Sequence, residues 1–185
     1  MTLAELEKKT DGDVAHAAFR MVRDGYTTAD WARAQIERGI GDVAGAAFRM
    51  VSYGYATREW GRTQIERGIG NVALVIYRMV RDGRHITSEW ARAQIERGLD
   101  NVAETVYFMV RLGHATPEWA RAQIERGVGN VAVAAFRMVD DGYATPEWAR
   151  AQIERGIGDV ALVAYRMVRD GHATPEWATA QRASK

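Results

Sequence analysis

Four histidines, three serines and no cysteine are the side chains of this 185-residue chain, carboxylates aside, that could carry acid–base or nucleophilic chemistry. Among the unperturbed side chains only His16, His85, His114 and His172 titrate near neutral pH. A hydrolytic centre would need one of them beside a nucleophile, held by a third group. Ser52, Ser88 and Ser184 sit in no glycine-flanked elbow. His85, His114 and His172 fall on loops of repeated units whose helices should pack about 8–10 Å apart. That spacing is too wide for a shared metal with ligands at about 2 Å. The lack of cysteine excludes thiolate sites and disulfides, and it fits a reducing compartment. Gly68-Ile69-Gly70 looks like half of a phosphate loop, but no strand precedes it and no lysine follows, so it reads as a helix-to-helix turn. No catalytic residue, no metal site and no cofactor are expected, and the chain reads as non-enzymatic.

The elements that would position any site are written as a repeat. Trp119-Ala-Arg-Ala-Gln-Ile-Glu-Arg-Gly127 recurs from Trp31, Trp90 and Trp148, with a near copy from Trp60 and a truncated one from Trp177. The steps between tryptophans are 29, 30, 29, 29 and 29 residues, the mark of a tandem array. Each unit opens on Asp or Asn (Asp13, Asp42, Asn71, Asn101, Asn130, Asp159), which suits a helix N-cap. An apolar run such as Val72–Val80 follows at helical spacing, and glycine closes it (Gly25, Gly54, Gly83, Gly113, Gly142, Gly171). A second helix starts at Thr28, Thr57, Thr87, Thr116, Thr145 or Thr174. In Thr116-Pro117-Glu118 the threonine caps, proline takes the first helical position and glutamate faces the positive helix end. Strand signals are absent. Two helices of about 11 residues bury too little alone, so stacking must supply the stability.

Trp31, Trp60, Trp90, Trp119, Trp148 and Trp177 are the expected structural anchors. Each could bury ~150–250 Å², worth up to about 4–6 kcal/mol, an upper bound because unfolded chains are partly collapsed. The competing role is an exposed aromatic ladder. The Ile36, Ile65, Ile95, Ile124 and Ile153 column ends in Arg182, the polar outer face that an open solenoid needs. A closed ring would keep isoleucine there. Residues 1–12 read as an N-terminal cap with Leu3 and Leu6 on one side, 13–173 as repeats and 174–185 as a C-terminal capping helix of a single domain. The extra residue in Gly83–Thr87 should lengthen one loop.

Hydrophobic content of 47% supports a folded core, and 26% charged residues make a soluble surface. A formal net charge of +1 argues against a strong sequence-independent grip on nucleic acid or an anionic membrane. Met1–Lys9 carries no signal-peptide pattern, and no apolar run approaches the roughly 18 residues that span a bilayer. A cytoplasmic, soluble protein with no membrane contact is expected.

The differences between units are where a binding row would lie. Phe19, Phe48 and Phe136 accompany Tyr26, Tyr55 and Tyr143, whereas Tyr77, Tyr107 and Tyr165 accompany His85, His114 and His172. Positions about two helical turns apart face one way, so within a unit the tyrosine hydroxyl could bond the imidazole. Chance or shared descent of the copies gives the same match. Tyr26, Tyr55, His85, His114, Tyr143 and His172 are the candidate contact row. The triplets from His16-Ala-Ala18 to Leu162-Val-Ala164 would either compensate core volume or shape a groove. Arg20, Arg49, Arg78, Arg137 and Arg166 form one arginine column, broken at Phe108. Arg33, Arg62, Arg92, Arg121 and Arg150 form another. The second lies four residues before Glu37, Glu66, Glu96, Glu125 and Glu154, which predicts intrahelical ion pairs rather than a phosphate track.

Unit lengths of about 34 residues in tetratricopeptide repeats, about 33 in ankyrin and roughly 40–47 in HEAT repeats do not match. Read from Thr116 to Asn130, the unit is similar in layout to transcription-activator-like effector repeats. Those begin Thr-Pro-Glu, run a short helix, a variable pair and glycine, then a second helix. The resemblance implies a nucleic-acid-binding array. The pair here would be Gly-Ile, Gly-Leu or Gly-Val, which offers no hydrogen bonds for base discrimination. Asn130-Val131 or Asp159-Val160 stands where that family places a phosphate-contacting Lys-Gln, so no base-reading residue carries over. Near-identical copies fit recent duplication and deliberate consensus design alike.

The expectation is therefore an all-α solenoid of about six two-helix units, an open superhelix rather than a closed toroid. As function, a scaffold that binds a protein or peptide on its concave face is expected. The alternatives are a nucleic-acid-binding array and a purely structural or self-associating element.

Overall fold

The helices form where cap, proline and glycine signals agree. A computed structural model describes residues 12–82, 87–97 and 101–183, together with Glu5 and Lys8, with side chains as far as Gln181. The described residues form twelve helices: α1 (Val14–Arg23), α2 (Ala29–Glu37), α3 (Val43–Ser52), α4 (Arg58–Glu66), α5 (Val72–Arg81), α6 (Ser88–Glu96), α7 (Val102–Arg111), α8 (Pro117–Glu125), α9 (Val131–Asp140), α10 (Pro146–Glu154), α11 (Val160–Arg169) and α12 (Pro175–Ala183). The protein is all-α among those residues, with neighbouring helices paired as the repeat requires. His85, the 83–86 loop and the proposed N-terminal cap around Leu3 and Leu6 lie outside the described residues, as do the side chain of Arg182 and residues 184–185.

Every threonine cap forms. Each Thr Oγ1 accepts the backbone N–H of the tryptophan three residues on, at 3.2–3.3 Å. This answers one of the orphan donors at the helix start. At three of the other helix starts one side-chain oxygen serves two units. Asp13 Oδ1 accepts the N–H of His16 and that of Asp42, both at 3.0 Å. Asp42 Oδ1 does the same for Gly45 at 3.0 Å and Asn71 at 2.9 Å. Asn130 Oδ1 takes Val133 at 3.3 Å and Asp159 at 3.2 Å. The cap is thus also a link to the next repeat. Asn101 and Asp159 depart from the pattern: neither side chain caps its helix, and Asn101 has φ 57°.

At four repeat junctions glycine (Gly41, Gly70, Gly129, Gly158) is there for a steric reason as well as a conformational one, and Asp100 takes its place at the fifth. A Cβ on Gly158 (φ +97°) would stand 2.1 Å from Asn130 Oδ1, and one on Gly41 (φ +89°) 2.2 Å from Asp13 Oδ1. Only a residue without a side chain lets the loop close over the shared cap.

Backbone contacts divide the chain into two compact units, residues 1–75 and 76–185. In the first, α1 pairs with α2, α3 pairs with α4, and α1 packs on α3. Ala15, Ala18, Phe19, Ile36, Val43, Ala46 and Met50 form its core, with Trp31 and Trp60 packed against the edge. In the second, α7 pairs with α8, α9 with α10 and α11 with α12, while α9 touches both α7 and α11. Phe136, Val139, Ile153, Val160, Val163 and Met167 form a core there, flanked by Trp148 and Trp177. The largest fully buried side chains are the isoleucines of the second helices (Ile36, Ile65, Ile95, Ile124, Ile153) and the methionines Met50, Met109, Met138 and Met167. The tryptophans therefore flank a core that isoleucine and methionine fill. Trp90 is buried, and the other five indoles are half-buried.

Candidate functional site

The constant letters of the repeat are occupied in joining units. Indole Nε1 of Trp60, Trp119, Trp148 and Trp177 donates to Glu37, Glu96, Glu125 and Glu154 of the preceding unit, at 2.6–2.8 Å. The buried glutamines are satisfied within their own helices. Arg67, Arg97, Arg126 and Arg155 donate to the Oε1 of Gln64, Gln94, Gln123 and Gln152 at 2.7–2.9 Å. The same guanidinium groups reach back a repeat: Arg126 Nη2 donates to the carbonyl of Glu96 at 3.3 Å. Arg155 Nη2 lies 2.8 Å from where a Gly127 Cβ would stand. A cation there meets the negative end of the preceding helix and its unpaired carbonyls. Among the described residues no buried side-chain polar atom lacks a hydrogen-bond partner.

This arrangement corrects the expected Arg-to-Glu pairs four residues apart. Arg62–Glu66 at 3.0 Å is the one such pair that forms among the described residues. Arg33, Arg92, Arg121 and Arg150 instead pair three residues back, with Asp30, Glu89, Glu118 and Glu147. The reason is competition: the indole N–H claims the later glutamate, and the first-turn acid is free to take the arginine. The acids are exposed and the arginines half-buried at the surface, so each such ion pair contributes little.

The variable positions populate the first helices and the loop after them. Tyr26 is 71% exposed. Tyr55, His114, Tyr143 and His172 are half-buried. The expected tyrosine–histidine contact does not form among the described residues. Tyr107 OH donates to Asp141 Oδ2 of the following repeat at 2.7 Å, and burial together with that carboxylate pushes its pKa up. His114 Nδ1 lies 3.0 Å from Ser88 Oγ of the preceding repeat. Tyr165 is 55% exposed and does not reach His172. Gly113 and Gly171, both at positive φ, turn the chain out of the helix before the histidine, so the two-turn alignment of Tyr with His does not extend that far. Among the described residues no third group orients His114 and Ser88, and no three His, Asp or Glu side chains group closely enough to hold a metal ion.

Two aromatic hubs lie between successive first helices, and sequence reasoning missed both. In the first unit the ring of Phe19 meets Tyr53 edge-on at 5.3 Å, and Tyr53 stacks on Tyr55 at 6.3 Å. Arg23 and Arg49 lie over the Phe19 ring at 6.0 and 5.9 Å. In the second unit Arg137 lies 5.5 Å over both Tyr107 and Phe108, and Phe108 packs on Tyr77 at 4.5 Å. The signal that could have found them is the arginine column beside the Phe/Tyr column, read across units rather than within one. Of that column, Arg137 pairs with Glu104 at 3.3 Å, whereas Arg20, Arg78 and Arg166 make no ion pair among the described residues.

Comparison of the chain with protein-family models finds no match, and comparisons with curated proteins and with solved structures find none either. Among the described residues no helix is long and apolar enough to cross a membrane.

Proposed function

We propose that the chain is a non-enzymatic, cytoplasmic helical-repeat scaffold whose first helices and inter-helix loops hold a protein or peptide. One observation carries this reading: the constant residues are spent on caps, core and repeat-to-repeat bonds, while variable ones reach the surface of each compact unit, as Tyr26, Tyr53 and Tyr55 do in the first and Tyr143 in the second. Tyrosine and arginine, prominent on that surface, are the residue types that dominate binding energy at protein interfaces.

A nucleic-acid-binding array is the second reading, and Arg20, Arg78 and Arg166, which make no ion pair among the described residues, favour it, because phosphate contacts need available cations. Against it stand the break at Phe108 and the pairing of Arg137 with Glu104. Photo-crosslinking from Tyr26 or Tyr143, each replaced by benzoylphenylalanine in the cell that makes the protein, separates the two. Adducts removed by protease support the scaffold, adducts removed by nuclease support the array, and none from either site overturns both.

A further inference from the structure

We propose that the Phe19 hub of the first two repeats is a binding patch for a short acidic peptide segment, its carboxylates held by Arg20 and Arg49. The proposal rests on the scaffold reading and names the chemistry of its partner.

The chain builds this hub twice, 88 positions apart, and the copies differ in charge. In the second copy, Tyr107 stands for Phe19, Arg111 for Arg23 and Arg137 for Arg49. Carboxylates of the chain itself fill that copy. Glu104, in the place of His16, takes Arg137 at 3.3 Å. Asp141, in the place of Tyr53, accepts from Tyr107 at 2.7 Å and lies 4.0 Å from Arg111. Two arginines meet two acids, and the hub is neutral.

In the first copy both acids are gone. Arg49 donates to the His16 ring at 2.8 Å, an uncharged acceptor. Arg20 is exposed and makes no ion pair among the described residues. Arg23 alone has a carboxylate, Asp24, at 2.7 Å. Among the described residues Arg20 and Arg49 have no carboxylate in an ion pair, and Asp13 and Asp42 act on His16 from further off. Above the patch Tyr53, 59% exposed, offers a ring face and a hydroxyl. The second copy thus shows which ligand atoms satisfy this geometry: carboxylate oxygens, which arginine receives in charge-assisted bonds. A phosphate backbone is the less suitable occupant, because the second copy meets the corresponding arginines with carboxylates.

The test is fluorescence anisotropy of the full chain at about 50 mM salt, where exposed charges are least screened. The probes are a labelled Glu-Asp-Phe-Glu-Asp peptide, its Gln-Asn-Phe-Gln-Asn counterpart and labelled dodecathymidylate. The acidic peptide should bind at least about tenfold tighter than the amide peptide, a difference of about 1.4 kcal/mol. Arg20→Ser, at an exposed position, and the pair His16→Glu with Tyr53→Asp, which restores the acids, should each weaken it at least about fivefold. Arg111→Gln in the second hub should leave it unchanged. Equal binding of both peptides, indifference to these substitutions, or tighter binding of dodecathymidylate would overturn the patch. Protease-sensitive crosslinks from Tyr26 without acidic-peptide binding would overturn the patch alone and leave the scaffold standing.

Discussion

At His16 the imidazole is held neutral by its surroundings. Burial lowers its pKa from the ordinary 6.5, and Arg49 and, more weakly, Arg20 lower it further against the opposing pull of Asp13 and Asp42. The folded state therefore binds a proton less readily than the unfolded one. Stability from this site is complete above about pH 6.5 and falls as the pH drops from there through the lowered value. Protonation also turns the acceptor facing Arg49 into a like charge. We expect the urea midpoint of the wild type to fall between pH 7.5 and 5.5 by more than that of His16→Gln. Parallel loss in both proteins would show that His16 does not couple to folding. Neither this contact nor the tyrosine hydroxyl on Asp141 was legible in the sequence. Both run to the following repeat, 33 or 34 residues away, whereas a reading along one helix compares positions three, four or seven apart.

Helices and their ends were legible almost throughout, because each signal acts within a few residues. Threonine, proline and glycine specify a cap, a first turn and a reversal locally, and the chain states threonine and glycine six times and proline three. What joins one helix pair to the next was not legible. Tryptophan reads as core, yet most of the indoles are half-buried and bond a glutamate 23 residues back. Isoleucine and methionine, less conspicuous letters, are the ones wholly removed from water. The glycines at the repeat junction separate conformational from steric demands. Gly156 has φ +77° and open space around it, while Gly158 has φ +97° and the Asn130 side chain against it. Gly156→Ala should cost roughly 1–2 kcal/mol, the ordinary penalty of a left-handed backbone. Gly158→Ala should cost roughly 1–3 kcal/mol more, because it displaces the oxygen that caps α9 and links it to Asp159. Equal losses in denaturant unfolding would mean that the shared cap contributes nothing.

Across the molecule, stability should behave as a sum of units and of contacts between adjacent units, since each repeat touches chiefly its neighbours. The second unit offers a place to see this. Its core around Ile153 draws residues from α9, α10 and α11, with Trp177 of α12 against it, and none from α7 or α8. Ile153 is fully buried, and Ile153→Ala should cost about 2–5 kcal/mol, through lost transfer energy and the cavity left behind. In a globular core that loss would be felt everywhere at once. In a stacked array it stays near the lesion, and amides open locally with their own free energies. Hydrogen exchange should therefore quicken at least about tenfold in α9–α12, the equivalent of about 1.4 kcal/mol, and less than about threefold in α7 and α8. Uniform loss of protection from α7 to α12 would instead make residues 76–185 one cooperative block. The bonds between repeats, indole to glutamate and guanidinium to helix end, would then transmit stability as strongly as the bonds within them.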